Sequence, residues 1–222
     1  IAPVEPADVA AFDGVEGIDI RIQETLRYVY LAMNLAEPPL DDLKVRQAIS
    51  MAIDRQALVD SVFHGFGEPT VQPWPASYVG HVDGAEDAFP YDPEQARALL
   101  AEAGYENGFA AEIIAVPAPV VYLQLAEVVQ AQLAEVGIQL EVVLTEPTQL
   151  GDAFYINKTS PFAMLYTDGG ADPATTVGSR YAAEGFFNPG SVSTPRLDEL
   201  YLDSLSTTDL DARAEVFQAI TS

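Results

Sequence analysis

Residue types that do chemistry are sparse in this 222-residue chain. It has two histidines, His64 and His81, and no cysteine, so neither a thiolate nucleophile nor a Cys/His metal shell can be assembled. No HExxH pair, GxSxG nucleophile elbow, GxGxxG or GxxxxGKS/T phosphate cradle occurs. The remaining acid-base candidates are Asp168 and Asp172, in the run Asp168-Gly169-Gly170-Ala171-Asp172-Pro173. Paired carboxylates can hold or pass a proton, but aspartates around Gly-Gly more often bond nearby backbone N–H groups and shape a turn. No catalytic residue, metal site or cofactor is therefore expected.

The same run is the best candidate for binding. It follows an apolar strand expected over Pro161 to Thr167, and in open α/β sheets ligands collect beyond the carboxyl ends of strands. Tyr166, Asp168, Gly169 and Gly170 are its candidate contacts: a ring, a carboxylate and two stretches of unencumbered backbone. Trp74, the only tryptophan, stands between Pro73 and Pro75. It has two readings, a loop anchor buried against the domain or an aromatic wall of the ligand cleft.

The elements that must position these residues are legible in the hydrophobic spacing. Tyr28 to Met33 is apolar at nearly every position, which predicts a strand covered on both faces, ended by Asn34. Pro38 and Pro39 keep the chain extended, and Asp41 or Asp42 is placed to cap a helix. Val45, Ala48, Ile49, Ala52, Val59 and Phe63 then predict one long amphipathic helix stopped by Gly65 and Gly67. Residues 66–90 lose all period and read as a long irregular loop. Asp92, Pro93 and Gln95 mark a second helix start, with Gly104 as its stop. A strand at Glu112 to Val116, a helix at Val121 to Val136 and a strand at Ile138 to Leu144 predict a parallel crossover. Further on, 145–158 is weakly helical, and Pro195 to Leu205 and Thr208 to Ile220 read as a helical pair. Ahead of all this, Pro6 to Phe12 has a short helical pattern, and alternating Val15, Ile18, Ile20 and Ile22 predict a strand.

The run from Tyr28 to Arg55, YVYLAMNLAEPPLDDLKVRQAISMAIDR, together with Tyr91 to Tyr105, YDPEQARALLAEAGY, closely resembles the second lobe of the family 5 solute-binding proteins of peptide and nickel ABC importers. Arg213 and Phe217 match that family's final helical pair. The resemblance implies an α/β fold with a mixed, partly parallel sheet covered by helices, one lobe of a two-lobed periplasmic binding protein. It implies a hinge-proximal segment over 1–25 and a second-lobe domain over 26–222, incomplete at its C-terminus, with the first lobe absent. It also implies a periplasmic or extracellular location, a lipid anchor in the full-length protein, a monomer, and ABC permease subunits as partners. In peptide-binding members an aspartate four residues before the proline of an acidic-Pro pair holds the peptide's ammonium group. Here that position is Gly169, with Asp168 displaced by one, so a free amino terminus is not expected to be the main anchor.

Composition narrows the alternatives. Half of the residues are apolar (49%), which argues against disorder. The 34 acidic residues against 10 basic ones exclude a nucleic-acid or anionic-membrane binder, both of which need a positive face. No apolar run approaches the roughly 20 residues that span a bilayer. A receptor lobe for a small solute such as an oligopeptide, an α/β hydrolytic enzyme and a non-binding interaction module remain open.

Overall fold

The computed structural model describes residues 4, 6–23, 25–170 and 172–222. A 3-10 turn at Pro6–Asp8 runs into α1, Val9–Phe12, as the short helical pattern predicts. The strand expected around Val15 to Ile22 does not form. Described residues 14–23 are turns and irregular chain, Ile22 is 73% exposed, and no strand runs alongside to satisfy their backbone.

β1 (Tyr28–Met33) has the expected bounds. Asn34 closes it by donating from its side-chain amide to the Lys158 carbonyl at 3.0 Å. Both its faces are covered as expected, Val29, Leu31 and Met33 packing against one apolar cluster and Tyr30 and Ala32 against another, but the sheet order is β1-β4-β2-β3, so β1 is an edge and only Ala32 in it is fully buried.

Asp42 caps α2 (Leu43–Met51), accepting from the Lys44 N–H at 2.7 Å. The single long helix expected here is two, because the chain breaks before α3 (Arg55–Val62). Asp54 turns extended (φ −77°, ψ 93°) and starts a new helix by accepting from the Ala57 N–H at 2.9 Å. Its own backbone N–H and carbonyl are taken up by the Gln132 side-chain amide, at 3.1 and 3.3 Å. A side chain distant in sequence thus satisfies the N–H that a continuous helix would have paired internally, while the carbonyl also accepts from the Leu58 N–H at 3.2 Å.

The local signals further along hold. Residues 66–90 are irregular apart from a 3-10 turn at Ala85–Ala88. Asp92 caps α4 (Pro93–Glu102) through the Gln95 N–H at 2.9 Å, and Gly104 leaves it at φ +87°. β2 (Phe109–Ala115), α5 (Val120–Glu135) and β3 (Ile138–Leu144) form the crossover, with β2 and β3 parallel. The two strands start side by side because Gly108, at φ +70°, lies against Gly137; a Cβ on Gly108 would fall 1.9 Å from the Gly137 carbonyl oxygen.

After α6 (Pro147–Gly151) and a π-helical turn at Asp152–Ile156, β4 (Phe162–Thr167) enters the middle of the sheet, antiparallel to β1 and parallel to β2. α7 (Pro173–Arg180) follows where no helix was expected, and then α8 (Pro195–Ser206) and α9 (Leu210–Thr221) complete the expected helical pair. Thr175, Thr176, Gly178 and Ser179 are weak helix formers. α7 forms because Asp172 caps it and because Ala174 and Val177 pack against Trp74 and Phe217.

Three apolar clusters hold these layers together. The largest lies between one face of the sheet and α2, α4 and α5, around Ile49, Leu100, Ile113, Leu133 and Phe162. The second covers the opposite face with Leu150 and Phe154. The third, Trp74, Ala174, Val177 and Phe217, sits beneath the loop that follows β4. Each fully buried large side chain here contributes about 1.5–3 kcal/mol of transfer free energy.

Candidate functional site

The antiparallel register of β1 and β4 decides what the strand-end loop looks like. Tyr28 pairs with Thr167, so the next step outward sets Arg27 against Asp168. Arg27 Nε and Nη2 both donate to Asp168 Oδ1, at 2.6 and 2.5 Å. The pair stays half exposed, 53% and 66% for the two side chains, and hydrogen bonding to Asp168 raises the Arg27 guanidinium above its ordinary value.

The same guanidinium lies over the Tyr166 ring, its central carbon 5.1 Å from the centroid. Tyr166 is 45% exposed and stacks nearly parallel on Tyr122 at the start of α5, with centroids 5.1 Å apart and planes 7° from one another. Three planar groups therefore share one surface at the carboxyl end of β4. Tyr122 is itself buried, so the platform has a fixed base.

Gly169 and Gly170 make the loop's tight path possible. Gly169 has φ +63°, and a Cβ there would come 2.7 Å from the Leu26 carbonyl oxygen. The Gly170 carbonyl accepts a hydrogen bond from the Tyr78 hydroxyl. Asp172 turns inward to the helix: it accepts from the Ala174 N–H at 2.9 Å and from Arg213 on α9. The two aspartates consequently have separate partners and do not form a carboxylate pair.

Trp74 is 3% exposed. Its Nε1 donates to Thr221 Oγ1 at 2.9 Å, its ring stacks on Tyr78 at 5.6 Å, and it touches Phe217. It anchors the 66–90 loop behind the glycine loop, with Tyr78 as the link to Gly170. Tyr166, Asp168, Gly169 and Gly170 are thus adjacent, and Trp74 lies beneath them. Of the histidines, His81 Nδ1 lies 3.2 Å from the Trp74 carbonyl, and His64 follows the end of α3 at φ +52°. Among the described residues no three His, Cys, Asp or Glu side chains converge as a metal site.

A groove of about 900 Å³ runs along β1, bordered on one side by α2, α3 and 66–73 and on the other by Phe154, Tyr155, Arg180, Tyr181 and Phe187. Arg27 stands at its end. Sequence reading missed Arg27, Tyr122, Tyr78 and Arg180; only Arg27 had a usable signal, as the residue just before β1 that an antiparallel pairing would bring opposite Asp168.

The model of one family, the bacterial extracellular solute-binding proteins, family 5 Middle, matches residues 1–188, and the chain belongs to that family. It is 31% identical over 220 residues to a dipeptide-binding protein of Escherichia coli K12, covering 96% of this chain and 41% of the relative. It is 27% identical to heme-binding protein A of Haemophilus influenzae, with 96% and 40% covered. Among solved structures, HbpA2 from Haemophilus parasuis superposes with a TM-score of 0.88 at 26% identity, over 97% of this chain and 44% of that one. A dipeptide-binding protein from Pseudoalteromonas sp. SM9913 in complex with Met-Leu gives 0.85 at 27% identity, over 98% and 44%. The chain therefore spans less than half the length of these relatives.

Proposed function

We propose that this chain forms one wall of the ligand cleft in the solute receptor of an ABC importer, and that the solute is peptide-like. The observation that carries this reading is the exposed Tyr166 ring, fixed on Tyr122 at the carboxyl end of a sheet strand beside a groove of about 900 Å³. Family membership supports it, as does the Met-Leu bound to one structural relative. The relatives named for dipeptide, heme and glutathione binding show that the family accommodates unlike solutes, so the wall's own chemistry must choose.

That chemistry disfavours a free amino terminus as the main anchor. Asp168, the carboxylate nearest Tyr166, is already neutralised by Arg27. Tyr166 and the backbone at Gly169 and Gly170 contact the solute in its place, and Trp74 supports them from behind. The chain binds without turnover and requires no cofactor. In the full-length protein it acts as a monomer, outside the cytoplasmic membrane, held by a lipid anchor and delivering solute to permease subunits. Residues 1–25 lead toward the hinge.

The test is native mass spectrometry of the gently purified full-length receptor, followed by calorimetric titration with amino-terminally free and acetylated dipeptides. A retained or titratable solute that leaves unchanged supports the reading. Chemical conversion of the solute, or binding of no member of a broad peptide panel, sinks it.

A further inference from the structure

Acidic residues outnumber basic ones 34 to 10 in this chain, so an arginine should find a carboxylate with ease. Arg27, Arg213, Arg21 and Arg196 do. Arg46, Arg55 and Arg97 instead bond backbone carbonyls. Arg180, the last residue of α7, does neither. Among the described residues its one hydrogen bond is from Nη1 to the Tyr30 hydroxyl, and no Asp or Glu lies within ion-pair distance. Its guanidinium lies instead between aromatic faces, its central carbon 4.8 Å from the Phe187 centroid and 5.4 Å from that of Tyr30. The side chain is half-buried and borders the groove along β1.

A second polar group on the same stretch of groove is also incompletely satisfied. Tyr28 is two residues from Tyr30 on the same face of β1, with its ring 5.5 Å away. Its hydroxyl is buried and faces that of Tyr181 without a hydrogen bond of ordinary geometry. Burial pushes the Tyr28 phenol up, so it remains an O–H donor at neutral pH. A half-buried cation with unused N–H donors and a buried O–H donor, both in an aromatic-lined groove, are two costs of the same kind. One acceptor carrying negative charge would relieve both.

We propose that Arg180 and Tyr28 form a carboxylate-binding subsite, and that the solute this wall selects is an acid, engaged at its carboxylate rather than at an ammonium group. This rests on the solute-receptor reading and adds the substrate class. The guanidinium supplies charge and paired donors, Tyr28 a third donor, and Phe187 and Tyr30 exclude water and hold the guanidinium plane. Of the other arginines bordering this groove, Arg27 is engaged by Asp168 and Arg46 and Arg55 donate to backbone carbonyls, which leaves Arg180 as the one among the described residues with neither kind of partner.

Two probes that differ only in the group concerned decide it: N-acetyl-dialanine and N-acetyl-dialanine amide, neither with a free amine. The 222-residue chain is titrated with each at millimolar concentration while the arginine side-chain N–H resonances are followed by NMR. The acid is expected to shift the Arg180 resonance and to bind at least about tenfold more tightly than the amide, a difference of about 1.4 kcal/mol. Arg180→Gln should abolish that preference, and Arg180→Lys should keep part of it. Thermal melts of both variants separate lost folding from lost recognition, and should one unfold, the wild-type acid-to-amide ratio still decides. Equal binding of the two probes to the wild type overturns the inference and leaves the receptor reading standing. Binding of neither probe overturns the inference alone, and the receptor reading is then decided by the titration of the full-length receptor.

Discussion

Arg213 on α9 grips Asp172 by both carboxylate oxygens, with Nη2 2.8 Å from Oδ1 and 2.9 Å from Oδ2. The same aspartate caps α7, so one side chain ties the strand-end loop, the helix that follows it and the last helix of the chain. Burial would raise the Asp172 carboxyl, but the Arg213 hydrogen bond and the Ala174 N–H outweigh it and hold the group below its ordinary value. A depressed carboxylate stabilises the fold above its unfolded pKa and ceases to do so as pH falls through its folded one. Asp172→Asn keeps a capping side chain and loses the charge, so at neutral pH it should cost about 0.2–1 kcal/mol. The gap in melting temperature between wild type and variant should narrow as pH falls below the ordinary carboxylate range. A gap that stays constant with pH would show that the ion pair contributes nothing.

Arg27→Ala should change specificity more than stability. Both partners of the Arg27–Asp168 pair are half exposed, so its loss should cost well under about 1 kcal/mol of folding. It leaves a carboxylate unmasked beside Tyr166. In the full-length receptor, affinity for dipeptides with a free amino terminus should rise by about tenfold relative to their acetylated forms. Calorimetry on matched pairs measures the ratio, and an unchanged ratio would count against the neutralised-anchor reading.

Arg55 should behave in the opposite way. Its Nη2 donates to Ser50 Oγ at 2.6 Å and burial lowers its pKa, which marks a brace across the break between α2 and α3. Arg55→Ala should lower the melting temperature while leaving solute affinity within about tenfold, or 1.4 kcal/mol. A larger affinity loss at unchanged melting temperature would place Arg55 in recognition.

The 222-residue chain alone should bind peptides weakly, because a two-walled cleft gains affinity by closing over the solute and expelling water. Submicromolar binding of a dipeptide by the isolated chain would show that a single wall suffices.

What the sequence disclosed was local. The caps at Asp42 and Asp92 and the stop at Gly104 are each written within a few residues, and the structure places them as read. What it concealed was settled by distant partners. Gln132 splits the first long helix at Asp54. Trp74 and Phe217 make a helix of the Thr- and Gly-rich segment after Pro173. The candidate contacts Tyr166, Asp168, Gly169 and Gly170 were identifiable as a strand-end loop, but nothing within that loop reveals that Arg27 occupies Asp168 or that Tyr122 lies beneath Tyr166. The acid-rich composition, which the sequence offers only as grounds for excluding anionic partners, also has a local use: Asp42, Asp54, Asp92, Asp172 and Asp209 each cap a helix.

The pairing of β1 with β4 sets a schedule for folding. Met33 meets Phe162 and Tyr28 meets Thr167 only after the whole β2–α5–β3 unit between them has been made. Contacts this distant in sequence pay loop-closure entropy before they return any stability, and they slow folding. During synthesis the Tyr28–Met33 segment emerges before the strand it pairs with, and is at risk of pairing with another chain until β4 arrives. The β2–α5–β3 unit, built from contacts close in sequence, can assemble first and present β2 as the template on which β4, and then β1, is laid.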